Sequence, residues 1–124
     1  MFNKLLIVDS DDIVNKIAIA AKEDNHEVPI SPNFYCTKDG EISGSVSIVN
    51  LGNGMCMVSI WAHSKKISAR DSLDFLNIIE NFCRMSGFRH IYMPCCETSP
   101  YFNYMAKLGF AETSKATKYF IKPL

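Results

Sequence analysis

Apolar side chains recur along this chain with two alternating periods, and the switches between them mark out its elements. Residues 4–8 read as a short strand with a β-branched end. Ser10, Asp11 and Asp12 then supply a helix N-cap and first-turn carboxylates. Ile13, Val14, Ile17, Ala20 and Ala21 fall at helical spacing with Asn15, Lys16, Lys22 and Glu23 opposite, which predicts an amphipathic helix over about residues 11–24. Pro29 and Pro32 make residues 25–33 a loop. Residues 34–37 and 41–49 read as strands joined at Lys38-Asp39-Gly40, whose Asp-Gly pair is a strong hairpin signal. Asn50-Leu51-Gly52-Asn53-Gly54 makes a second hairpin into residues 55–62. There Met55, Met57, Ser59 and Trp61 alternate with Cys56, Val58, Ile60 and Ala62, the pattern of a strand covered on both faces.

A longer helix follows. Ser68-Ala69-Arg70-Asp71 fits a capping box, in which the Ser68 hydroxyl accepts from the first turn and Asp71 reaches back. Leu73, Leu76, Ile79, Phe82 and Cys83 form its expected core stripe, broadened by Phe75 and Ile78, and Gly87 ends it as a left-handed cap. Residues 89–93 are the next strand, closed by Pro94. Thr98 or Ser99 caps a short helix with Pro100 at its first position; Phe102, Met105, Ala106 and Leu108 form its buried side, and Gly109 terminates it. Residues 116–122 alternate as a last strand. Leu73, Leu76, Ile79, Phe82, Ile91, Phe102, Leu108 and Phe110 are expected to share one core.

Composition narrows the class. A chain of 124 residues, 48% hydrophobic and 21% charged, fits one globular domain spanning residues 1–124. Its formal net charge is zero, so no overall field draws it to nucleic acid or an anionic membrane. No apolar run approaches the ~20 residues of a membrane span, and the acidic run at residues 9–12 argues against a signal peptide. Five cysteines, without repeated spacing, suit small buried thiols in a reducing compartment better than a disulfide framework. Cys95, Cys96, Glu97 and His90 lack the pair spacings of a metal site, so none is expected.

The stretch from Met85 to Pro94, followed by Thr98-Ser99-Pro100 and the Lys107-Leu108-Gly109-Phe110 stop, resembles the C-terminal half of the GNAT-type N-acyltransferases. The resemblance is best over about residues 40–121. It implies an α/β (α+β) fold with a central mixed sheet and helices on both faces. It also implies a parallel, splayed pair formed by residues 55–62 and 89–93, with the long helix as their right-handed crossover. In that family the turn after the central strand holds the pyrophosphate of acyl-CoA on glycine-rich backbone at a helix N-terminus. The corresponding residues 63–71 contain no glycine; Ile67 and Asp71 stand among them, and Lys65, Lys66, Ser68 and Arg70 are the candidate phosphate contacts. The family's acid tyrosine falls at Met105, so the adjacent Tyr104 is the candidate acid, and His63 is the candidate general base. A looser resemblance, over about half the chain, is to small GNAT-like internal virion proteins of short-tailed phages.

Two functions follow from these resemblances. The departures favour a catalytically degenerate GNAT-like module, without cofactor, that binds a protein partner as a virion or other assembly component in a host cytoplasm or virion. The alternative is an acetyl-CoA-dependent N-acetyltransferase acting on an amine or lysine.

Overall fold

The structure, a computed structural model, describes residues 5–27, 32–94, 105–110 and 122–123. One compact unit runs to Pro94 and a second from Cys95. The first contains β1 (Leu6–Ile7), α1 (Asp11–Glu23), β2 (Phe34–Lys38), β3 (Glu41–Gly52), β4 (Met55–Ala62), α2 (Ala69–Met85) and β5 (His90–Tyr92). The strands form a five-stranded sheet in the order β1-β2-β3-β4-β5. Neighbours are antiparallel until the last pair, where β5 lies parallel to β4. The expected mixed sheet and its parallel crossover through α2 are therefore present.

Local chemistry explains the boundaries. Asp39 and Gly40 turn the β2–β3 hairpin at φ 53° and 79°, and Asn53 and Gly54 turn the β3–β4 hairpin at 55° and 75°. Positive φ at both central residues matches the twist of the flanking strands. The second turn is tighter than the sequence suggested, because β3 continues through a register shift to Gly52. Ser10 caps α1 by accepting from Ile13 N–H at 3.3 Å. Ser68 caps α2 by accepting from Asp71 N–H at 3.1 Å.

Both helices end in the same way. At the end of α2, Gly87 adopts φ 92°, Phe88 N–H reaches Cys83 C=O and Gly87 N–H reaches Arg84 C=O. This paired closure satisfies carbonyls that would otherwise be left open. At the end of α1 the left-handed residue is Asn25, with His26 N–H on Ala21 C=O. In the second unit, Gly109 at φ 90° closes the same motif, with Phe110 N–H on Met105 C=O at 3.0 Å and Gly109 N–H on Ala106 C=O at 3.1 Å. The Lys-Leu-Gly-Phe segment is thus a helix-type stop. The expected contribution of Phe102 to the core, the Pro100 helix start and the last strand lie outside the described residues.

Strand alternation gives α1 and α2 opposite faces of the sheet. Cys36, Val46, Cys56 and Val58 pack with Phe75, Ile79 and Cys83 of α2. Trp61 packs on the other face with Ile17 and Ala21 of α1. The α2 stripe is rotated from the one expected. Phe75, Leu76, Ile79 and Cys83 are buried, whereas Leu73 is 44% and Phe82 37% exposed. Gly44 accounts for the rotation. A Cβ there would stand 2.9 Å from Cys36 Sγ and 3.0 Å from Phe75 Cε2, so the missing side chain is what admits the Phe75 ring. Once Phe75 is docked there, Leu73 turns outward, and Phe82 rests edge-on against Phe34 at 4.8 Å between ring centroids.

Candidate functional site

The parallel pair opens as it leaves its start. Contact between β4 and β5 covers Met55↔His90, Cys56↔Ile91 and Met57↔Tyr92 only. β5 is pinned there because Arg89 and His90 donate to Gly54 C=O at 2.7 and 3.1 Å. It ends at Tyr92, and Pro94 cannot extend a ladder. β4 continues to Ala62, so among the described residues its positions 58–62 have no strand on that side. Such an edge leaves backbone donors and acceptors for another extended, amide-bearing chain.

At the end of this open edge lies the turn of residues 63–68, and its backbone faces inward. Lys65 N–H and Lys66 N–H donate to His63 Nδ1 at 3.1 and 3.3 Å. Ile67 N–H donates to His63 C=O at 3.0 Å. Ser64 N–H donates to Asp24 Oδ2 at 3.1 Å. The imidazole itself is buried, with the residue 5% exposed, and its own N–H on the backbone donates to Ser43 C=O at 2.8 Å. Accepting two amides assigns the Nδ1 lone pair to the turn, which leaves the ring proton on Nε2.

Asp24, immediately after α1, is the buried centre of this region at 7% exposure. Besides Ser64 N–H it accepts Trp61 Nε1–H at 3.1 Å and the Ser64 hydroxyl in a short bond. His26 Nδ1 lies 3.2 Å and His63 Nδ1 3.7 Å from its oxygens. Burial alone would raise the Asp24 carboxyl; the Ser64 and Trp61 hydrogen bonds outweigh it and hold the group at about 2. Asp24 was not singled out in the sequence, because its partners stand 37 and 40 residues away in the chain.

The candidate phosphate contacts divide. Lys66 Nζ lies 2.8 Å from Glu41 Oε2, which holds the Glu41 carboxyl below its usual range chiefly through that hydrogen bond. Lys65 and Arg70 are exposed, and among the described residues neither forms an ion pair. Ser68 is occupied as the N-cap. Asp71 pairs with Lys38 at 2.6 Å; that bond is the leading cause of its lowered pKa, with Ser68 adding to it. The Ser68 half of the expected capping box is present, and the Asp71 carboxylate is held by Lys38. Lys38 and Glu41 flank the tip of the β2–β3 hairpin, so the two pairs clamp that tip to the turn and to α2. Tyr104 lies outside the described residues, as do Cys95, Cys96, Thr98 and Tyr101. Among the described residues no cluster of His, Cys, Asp and Glu is suited to a metal ion.

No family model and no curated protein matches the sequence. Solved structures do. An aminoglycoside acetyltransferase from an uncultured soil metagenomic sample superposes with a TM-score of 0.68 at 12% identity, covering 100% of this chain and 99% of that one. A ribosomal-protein-alanine N-acetyltransferase from Brucella melitensis biovar Abortus gives 0.66 at 11% identity over 98% and 99% of the two chains. A predicted acetyltransferase from Clostridium acetobutylicum, solved with acetyl-CoA, gives 0.66 at 10% identity over 97% and 96%. At these identities the likeness is one of fold. The chain has the GNAT-type acetyltransferase fold, at nearly the full length of the enzymes it resembles. Among the described residues no helix is long and apolar enough to cross a membrane.

Proposed function

We propose that this chain is an acetyl-CoA-dependent N-acetyltransferase acting on a primary amine or lysine. The observation that carries the reading is the β4–β5 pair, in register over Met55–Met57 and open beside residues 58–62. An open strand edge of this kind suits the amide-rich arm of acyl-CoA, which would add to β4 as a strand does. The edge leads to the start of α2, whose positive pole favours phosphate. Arg70 supports the reading. A cation in the first turn of a helix is unfavourable by itself and becomes favourable with an anion beside it.

The residues present fit such a ligand in part. Lys65 and Arg70 can meet phosphate with their side chains, whereas the amides of residues 64–67 are already taken up by Asp24 and His63. Phosphate contact would thus rest on side-chain charge and weaken with salt. Tyr104 is the proposed acid toward the departing thiolate. His63 is better suited to holding the turn than to taking the amine's proton, since protonation at Nδ1 would break two amide bonds.

The inward-facing amides also favour a second reading, in which the fold serves as a protein-binding module, for example in a virion. The named neighbours are all acetyltransferases, which favours the enzyme. Calorimetric titration with acetyl-CoA, then transfer assays on amines and lysine peptides, decides between them. Micromolar binding with turnover, reduced by Tyr104→Phe, supports the enzyme. Absence of binding supports the protein-binding module.

A further inference from the structure

We infer that Asp24 is a positioning residue through which helix α1 sets the geometry of the β4–α2 turn, and so the affinity of the acetyl-CoA site proposed above. The inference rests on that reading for its ligand and on the buried carboxylate for its mechanism.

Asp24 comes from the opposite face of the sheet to α2. It follows the last residue of α1, where its own backbone N–H closes on Ala21 C=O at 3.0 Å. Its carboxylate then crosses to the end of β4, taking the Trp61 indole N–H and both donors of Ser64. A carboxylate that is more than nine-tenths buried must have its oxygens satisfied, because an unpaired one costs far more than the net gain from any single bond. Here the donors are the penultimate residue of β4 and the second residue of the turn. The direction in which the chain leaves β4 is therefore fixed from α1.

The next two amides then fall on His63 Nδ1, so the positions of Lys65 and Lys66 follow from the same anchor. Lys66 is also held by Glu41 and Ile67 by the core, but Asp24 is the anchor that reaches the turn from α1. The turn's own carbonyl and ring acceptors come from the single residue His63, whose position at the end of β4 is shared with the Asp24 anchor. Displacing Ser64 would shift the charged side chains relative to the open β4 edge, a change that weakens binding more than it alters a bound substrate's reactivity.

Trp61 is the only tryptophan in the chain, so its emission reports on the anchor directly. The test uses the full chain, with Asp24→Asn, and with Ser64→Ala as a milder variant that removes the hydroxyl and keeps the amide. Acetyl-CoA affinity, kcat and KM are measured together with amide hydrogen exchange at residues 64–67. For Asp24→Asn we expect about a tenfold rise in the Kd and KM for acetyl-CoA, with kcat at saturation within about twofold of wild type. Exchange at residues 64–67 should rise about tenfold with α2 unchanged. Ser64→Ala should shift both in the same direction by less, and the double variant should match Asp24→Asn alone. Wild-type affinity in a folded Asp24→Asn protein would overturn the inference while leaving the acetyltransferase reading intact. If the wild type binds no acetyl-CoA, that reading falls, and exchange at residues 64–67 alone decides whether Asp24 holds the turn. Unchanged exchange there overturns the positioning role.

Discussion

Cys56 and Cys83 meet sulfur to sulfur at 3.8 Å in the core, one from β4 and one from α2. Both are free and buried, as is Cys36 on β2, two strands from β4 in the sheet. Burial, followed by the contact with Cys56, pushes the Cys83 thiol up to about 12; burial, followed by the charge of Asp71, does the same for Cys36. The thiolate is the reactive form and is nearly absent at neutral pH. Iodoacetamide should therefore leave Cys36 and Cys83 unlabelled in the folded protein. Cys56 is shielded by its complete burial, and all three should label after unfolding, as read by peptide mass spectrometry. Rapid native labelling of any of them would show that the β4–α2 contact opens readily.

Phe75 and Leu73 should respond in opposite ways to truncation. Phe75 is 1% exposed over Gly44, and Phe75→Ala should cost about 3–5 kcal/mol in urea unfolding. Leu73→Ala should stay within about 0.5 kcal/mol. The reverse order would mean that α2 is rotated as the sequence stripe suggested.

Gly44→Ala tests the same contact from the sheet side. The new methyl would press on Cys36 Sγ, Trp61 C=O and the Phe75 ring at 2.9–3.0 Å. Two of these three neighbours are core side chains and the third is backbone, so relief is limited, and a loss of about 1–3 kcal/mol is expected. Combining it with Phe75→Ala should recover part of that loss, a coupling that a double-mutant cycle measures.

Acid should weaken the Asp24 anchor in a defined window. The carboxyl sits at about 2 when folded against an ordinary 3.8, so its contribution is full above pH 5 and fades as pH falls through 4 towards 2. The groups facing it are His26, His63, Trp61 and Ser64. Denaturant midpoints followed by Trp61 fluorescence should drop over that range by an amount equivalent to about 1–2 kcal/mol. In Asp24→Asn that part of the pH dependence should be gone. An identical acid profile in the variant would assign the loss to other carboxylates.

Much of this architecture was legible from period and punctuation. Asp39-Gly40, Ser68, Gly87 and the Gly109 stop each act through local backbone chemistry and stand where the pattern put them, and Asn53-Gly54 turns the second hairpin within the longer 50–54 loop expected. The rotation of α2 was not legible, because Leu73 and Phe82 fit a broad apolar stripe as well as Phe75 does. The choice between them was made by an empty space above Gly44, on a strand 31 residues earlier than Phe75. The candidate site was less legible still. Lys65, Lys66, Ser68 and Arg70 are brought to one turn, but the direction of its amides depends on Asp24 and His63. No spacing rule links Asp24 to Ser64.

The sheet's spatial order is its chain order, and this bears on how the protein comes off the ribosome. Each strand up to β4 pairs with the one made just before it. A meander of this kind can be laid down progressively, with short loop closures and little waiting for distant partners. β5 is different, since it must wait for all of α2 before it can lie beside Met55, Cys56 and Met57. Until then the outer edge of β4 is bare along its whole length, and this is the stage at which a nascent chain is most exposed to pairing with a neighbour. Afterwards, among the described residues, β5 closes three positions of that edge. The opening proposed above for acyl-CoA is thus the part of the β4 edge that the arrival of β5 leaves unclosed among the described residues.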